Sequence, residues 1–127
     1  MLFPLQCRFL QRFQWVRHTI LSFGCPILCP SVTYVKAKIP DDVFDDSFLC
    51  SLDWKAWDCL SKIKGSFVYI HKRLTYHRIH SESTTTKIIR ETGRLDEDYR
   101  MFRKYWPSPI AVFLNGLYNI ATKSNEI

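Results

Sequence analysis

At 127 residues the chain has room for one domain with a usable core. Its 46% apolar and 15% aromatic content excludes a disordered segment. The formal charge of +6 suits an anionic partner (nucleic acid, anionic lipid or a phosphorylated ligand) without choosing among them.

That charge is unevenly placed. Residues 1–40 carry five Lys/Arg and no acid, 41–58 carry six Asp and one Lys, and the remainder is basic again. The five cysteines, Cys7, Cys25, Cys29, Cys50 and Cys59, are odd in number and lack a disulfide-framework spacing, which predicts a reducing, cytoplasmic compartment.

In chain order, Phe9, Phe13, Val16 and Ile20 recur at helical spacing among Arg8, Arg12 and Arg17. The pattern predicts a basic amphipathic helix over 5–22, either packed with its arginines in solvent or lying on an anionic membrane surface. The arginines interrupt the apolar run and exclude a secretory h-region. Gly24, Pro26 and Pro30 break the helix, and 31–36 alternates as a strand. Cys25 and Cys29 read as small buried hydrophobes. Zinc ligation with His77 and His80 would need an interval far longer than zinc-finger spacings. The loop over 40–48, with Asp41, Asp42, Asp45 and Asp46, lacks the ligand order of a calcium loop and reads as a solvated turn.

Asp53 precedes the apolar positions Trp57, Leu60 and Ile63, in a helix ending near Gly65. An Asp there caps the helix, serves as a general base, or does both. Residues 66–76, rich in Phe, Val, Tyr and Ile, predict a strand or strand pair, with His77-Arg-Ile-His at its end. Leu95, Tyr99, Phe102 and Trp106 then mark a helix with Asp96, Glu97 and Asp98 in its first turn. After Pro107, Ser108 and Pro109 open a second helix bearing Ile110, Phe113, Leu114, Leu117 and Ala121.

Taken together, Gly24–Val32 (GCPILCPSV), Phe44–Phe48 (FDDSF), Asp53–Trp57 (DWKAW), Gly65–Ile70 (GSFVYI) and His77–Thr85 (HRIHSESTT) resemble the C-terminal half of bacterial family 2 glycosyltransferases of the GT-A fold, over about 23–126. The resemblance implies an α/β fold: a partial GT-A-like domain with a few strands, an acceptor-side core (23–86) and a C-terminal helical pair (87–127), preceded by the amphipathic helix read from spacing (1–22). It implies transfer of a sugar from a nucleotide-sugar to a hydroxyl of a saccharide or lipid-linked acceptor. Asp53 falls on the acceptor-activating carboxylate and Trp54 on the acceptor pocket. His77 or His80, with Arg78, falls on the metal–diphosphate contact, with Mg or Mn as the cation.

Nothing in the chain resembles the family's nucleotide-binding half or its D-x-D metal motif. The resemblance therefore implies a C-terminal fragment, inactive alone, that exposes a face where the other half packs and is prone to self-association. Its expected place is the cytoplasm, with possible contact at the inner face of the membrane. The alternative is a small basic non-enzymatic module binding nucleic acid or an anionic membrane, although no nucleic-acid-binding signature is present.

Overall fold

The computed structural model describes residues 2–44, 47–76 and 93–123. Among these, regular structure is helical: α1 (Phe3–Gln6), α2 (Gln14–Leu21), α3 (Leu52–Ser61), α4 (Gly93–Tyr105) and α5 (Ser108–Lys123), with 3₁₀ turns at Leu10–Arg12, Cys29–Ser31 and Lys36–Lys38.

The single N-terminal helix expected over 5–22 is broken. Gln11 turns its amide inward to donate to the Leu5 carbonyl at 2.9 Å, and Phe13 is extended at φ −81°, ψ 127°. This folds α1 back against α2, so that Leu5, Val16 and Ile20 form a small apolar cluster of their own. Phe9, expected on the apolar face, stands 63% exposed. α2 ends at Leu21, and Gly24 takes φ +135°, a conformation that side-chain-bearing residues rarely adopt, to redirect the chain.

Three indole groups hold the segment after α2. Trp54 Nε1 donates to the Leu21 carbonyl (3.0 Å), Trp106 Nε1 to Ser22 (2.7 Å) and Trp57 Nε1 to Ile27 (3.2 Å). A buried indole N–H needs an acceptor, and an irregular segment has spare carbonyls; each satisfies the other. Trp54 packs edge-on against Phe102 at 4.9 Å, in a core completed by Leu21, Val43, Phe48, Ala56, Trp57, Met101 and Ala111.

A second set of bonds ties α4 to the start of α3. The Glu97 carboxylate accepts from the backbone N–H groups of Leu49, Cys50 and Ser51, each at 2.8 Å. Ser51, the N-cap of α3, donates its hydroxyl to Asp98 Oδ1 at 2.6 Å. Two acids read from the sequence as complements to their own helix dipole instead serve the start of a different helix, Glu97 through backbone N–H groups and Asp98 through the Ser51 hydroxyl.

The expected α/β class is overturned: no strand occurs among the described residues. Residues 31–36 are taken up by a proline-containing 3₁₀ turn at Cys29–Ser31, an extended link and the start of a second turn. Residues 66–76 do alternate, with Phe67 and Tyr69 half-buried against the Leu5–Val16–Ile20 cluster and Val68 and Ile70 facing out. Yet their backbone tie to the neighbouring chain among the described residues is the Phe67 N–H donated to the Gln11 carbonyl at 3.2 Å, joined by a His71 Nε2 contact to the Gln6 carbonyl at 3.3 Å, not a ladder. β-branched and aromatic alternation records fit to a half-buried surface, and here helix α2 and its preceding turn supply that surface.

The boundaries near the helix ends also shift. α3 stops at Ser61 with Lys62 as C-cap, so Gly65 lies beyond the position expected of a helix-ending glycine. Ser108 is the first residue of α5 rather than its cap, and its hydroxyl meets the Tyr99 hydroxyl at 3.0 Å.

Candidate functional site

Helix α3 presents Asp53 in its first turn and Asp58 near its last. Asp53 Oδ1 accepts the Trp54 N–H at 2.7 Å. No ion pair among the described residues engages it. Burial pushes its carboxyl above the usual range, and the Trp54 N–H, the nearby Cys25 thiol and the Arg94 charge oppose the rise.

Cys25 comes from the irregular segment that the tryptophans hold. Its Sγ donates to the Ile27 carbonyl at 3.5 Å, and the Asp53 charge reaches the thiol. Burial, then the Asp53 charge, raises the thiol well above its ordinary value, so Cys25 stays a neutral thiol. The Cys25 N–H donates to the Tyr118 hydroxyl at 3.4 Å. A half-buried carboxylate in no ion pair among the described residues can accept a proton from a hydroxyl placed against it.

The structure thus brings 24–29 to 53–57, two segments far apart in sequence. Trp54 itself is 1% exposed: its ring is core and its N–H is committed to Leu21, so it offers no face to a ligand in this arrangement. Trp57, 2% exposed, is core as well. His77, Arg78 and His80 lie outside the described residues. Among the described residues no group of three or more His, Cys, Asp or Glu is placed to hold a metal ion. Asp41 is a surface residue paired with Lys36 at 2.8 Å, and Asp45 and Asp46 lie outside the described residues.

At the other end of α3, Asp58 is 1% exposed and accepts from Lys62 Nζ (2.8 Å), Lys104 Nζ (3.2 Å) and the Tyr105 hydroxyl (2.7 Å). Burial alone would raise its carboxyl; the bonds from Lys62, Tyr105 and Lys104 together outweigh burial and hold it below the usual range. Burial and the Asp58 bond push the Tyr105 phenol well above its ordinary value. Sequence reading passed over Asp58. The signal was there: an acid amid Trp57, Leu60 and Ile63, with Lys62 four residues on.

Arg17 was also missed. Expected in solvent, it is 3% exposed, with its guanidinium donating to the Gly65 carbonyl (2.9 Å) and the Ile63 carbonyl (3.2 Å) and lying 5.4 Å from the Phe67 ring centre. Its place at helical spacing behind Phe13 and ahead of Ile20 was the one cue.

No helix among the described residues is long and apolar enough to cross a membrane. Compared with protein-family models, with curated proteins and with solved structures, the chain finds no match in any of the three.

Proposed function

We propose that this chain supplies the acceptor-activating part of a glycosyl-transfer site, with Asp53 as the base, and that the donor-binding part comes from sequence this chain does not contain. The observation that carries the reading is the approach of 24–29 to the start of α3, where Trp57 Nε1 donates to the Ile27 carbonyl at 3.2 Å and the Asp53 charge reaches Cys25. The G-C-P-I-L-C-P segment, on the acceptor side of the cleft in the resembled glycosyltransferases, lies against the D-W segment that carries their base. A carboxyl raised by burial holds a proton more tightly than a solvated one, and so is the better base toward a hydroxyl.

The reading also accounts for an apolar stripe on α5. Ile110, Phe113, Leu117 and Ile120 recur at helical spacing and are 42%, 65%, 50% and 69% exposed. A further segment carrying the donor site would cover such a face. Asp53 would take the acceptor proton as the hydroxyl attacks the sugar; binding of the nucleotide and neutralisation of its diphosphate belong to the complementary part.

The test starts with the DNA upstream of the Met1 codon, read in all frames for a nucleotide-binding half with a D-x-D motif. That half, joined to this chain or supplied in trans, is then assayed with UDP-, GDP- and dTDP-sugars, with and without Asp53→Asn. Transfer that falls by roughly 10²- to 10⁴-fold in the variant supports the reading. Full turnover by Asp53→Asn, or an upstream region encoding no such half, overturns it.

A further inference from the structure

A cleft of about 540 Å³ opens between the start of α2 and the turn that follows α3, lined by Arg12, Gln14, Arg17, Lys62, Lys64 and Ser66 together with Ile63 and Gly65. Four of its lining residues are cationic and none is acidic. Lys62 is tied to Asp58, whereas no ion pair among the described residues engages Arg12, Arg17 or Lys64.

The two walls reinforce each other. One is the N-terminus of an eight-residue helix whose cap, Phe13, offers no side-chain acceptor. The first bond inside that helix is donated by the Arg17 N–H to Phe13 O at 3.4 Å, so the N–H groups of Gln14, Trp15 and Val16 precede it at the positive end of the helix dipole.

The other wall follows a helix C-terminus, where exposed carbonyls ordinarily repel an anion. Here the Arg17 guanidinium occupies the Ile63 and Gly65 carbonyls. Those acceptors are neutral and do not compensate its charge, and its Nε N–H is buried without a hydrogen-bond partner among the described residues. Lys64 and Ser66 add donors on the same side.

We infer that this cleft binds a phosphate group, as free phosphate or diphosphate or as the headgroup of an anionic lipid. Donors converge from two walls, an arrangement that suits a tetrahedral anion with several oxygens better than a flat carboxylate with two. The exposed rings of Phe9 and Trp15, joined through Phe13 at 5.0 and 6.2 Å, lie next in sequence to Arg8 and Gln14 and would enter the interface if the source is a lipid. The inference is independent of the role given to Asp53.

The test is a calorimetric titration of the full chain at low salt with inorganic pyrophosphate, paired with co-sedimentation on vesicles of phosphatidylcholine with and without phosphatidic acid. Arg12 and Lys64 are both exposed, so Arg12→Ala/Lys64→Ala leaves the fold intact, as circular dichroism would verify. Lys36→Ala/Lys38→Ala removes the same charge outside the cleft and is the control. Binding weakened about tenfold or more in the first variant and little in the second supports the site.

Pyrophosphate binding without vesicle binding identifies a free phosphate ligand. Vesicle binding that requires phosphatidic acid and that pyrophosphate competes away identifies a headgroup. Absence of both, or equal weakening in the two variants, overturns the inference.

Discussion

Asp53 and Asp58 sit five residues apart on one helix and are treated oppositely. Asp58 is surrounded: two ammonium groups and a phenol donate to it, and its charge is held in place. Asp53 is desolvated and in no ion pair among the described residues, and the Trp54 N–H, the Cys25 thiol and the Arg94 charge offset its burial only in part. The difference teaches that burial alone does not fix what a carboxylate is for. A satisfied charge is an anchor; an under-satisfied one retains basicity that chemistry can use.

The comparison breaks most visibly in activity. Asp53→Asn should cost roughly 10²- to 10⁴-fold in transfer once the donor-binding part is supplied, yet leave the urea midpoint within about 0.5 kcal/mol of the parent. Asp58→Ala should do the reverse. It strands the Tyr105 hydroxyl and frees two lysines that are more than a third exposed and screened by solvent, so the loss is about 2–3 kcal/mol by urea unfolding. Glu97→Ala removes the acceptor of three N–H groups ahead of α3 and should cost about 2 kcal/mol by the same measurement.

Acid sharpens the contrast. Asp58 is lowered in the folded state, so its contribution is complete above the ordinary carboxyl value of about 3.9 and is lost as pH falls through its folded value. Asp53 and Asp98 are raised by burial, so what they contribute is present below that ordinary value and is lost as pH rises through their folded values. Urea midpoints from pH 3 to 7 should lose part of the decline on the rising side in Asp53→Asn, and part of the loss on the acid side in Asp58→Ala. The smallest expected effect is at the thiols. In the native chain Cys25 should react with maleimide at pH 7 more slowly than the exposed Cys7, and a faster Cys25 would sink the account of its environment.

Much of the helical part was legible. The stripe of Leu95, Tyr99, Phe102 and Trp106, the stop at Pro107 and the helix beyond it are local signals, and α4 and α5 lie where those signals place them. The strands were not legible correctly, because alternation in 66–76 specifies a half-buried extended segment and is silent on whether its neighbour is a strand or a helix. The broken N-terminal helix hinges on Gln11 choosing the Leu5 carbonyl, a choice no periodicity encodes. At the candidate site, spacing placed Asp53 at a helix start, and the resemblance alone singled it out as a base. Cys25 beside it, and the burial of Trp54, depend on tertiary packing. Asp58 and Arg17 were overlooked because charged residues default to solvent, and only their long-range partners reveal otherwise.

The indole clamps carry a consequence for the order in which the molecule is made. The α4–α5 hairpin closes over short sequence distances, but the bonds from Trp57, Trp54 and Trp106 to residues 21–27 span 30, 33 and 84 positions. Loop closure delays such contacts relative to local helix pairing. A chain emerging from the ribosome with its N-terminus first therefore carries 21–27 without its last clamp until α4 has been synthesised. Through that interval residues 21–27, Cys25 among them, lack the Trp106 clamp, and the surroundings of Asp53 are completed late in folding.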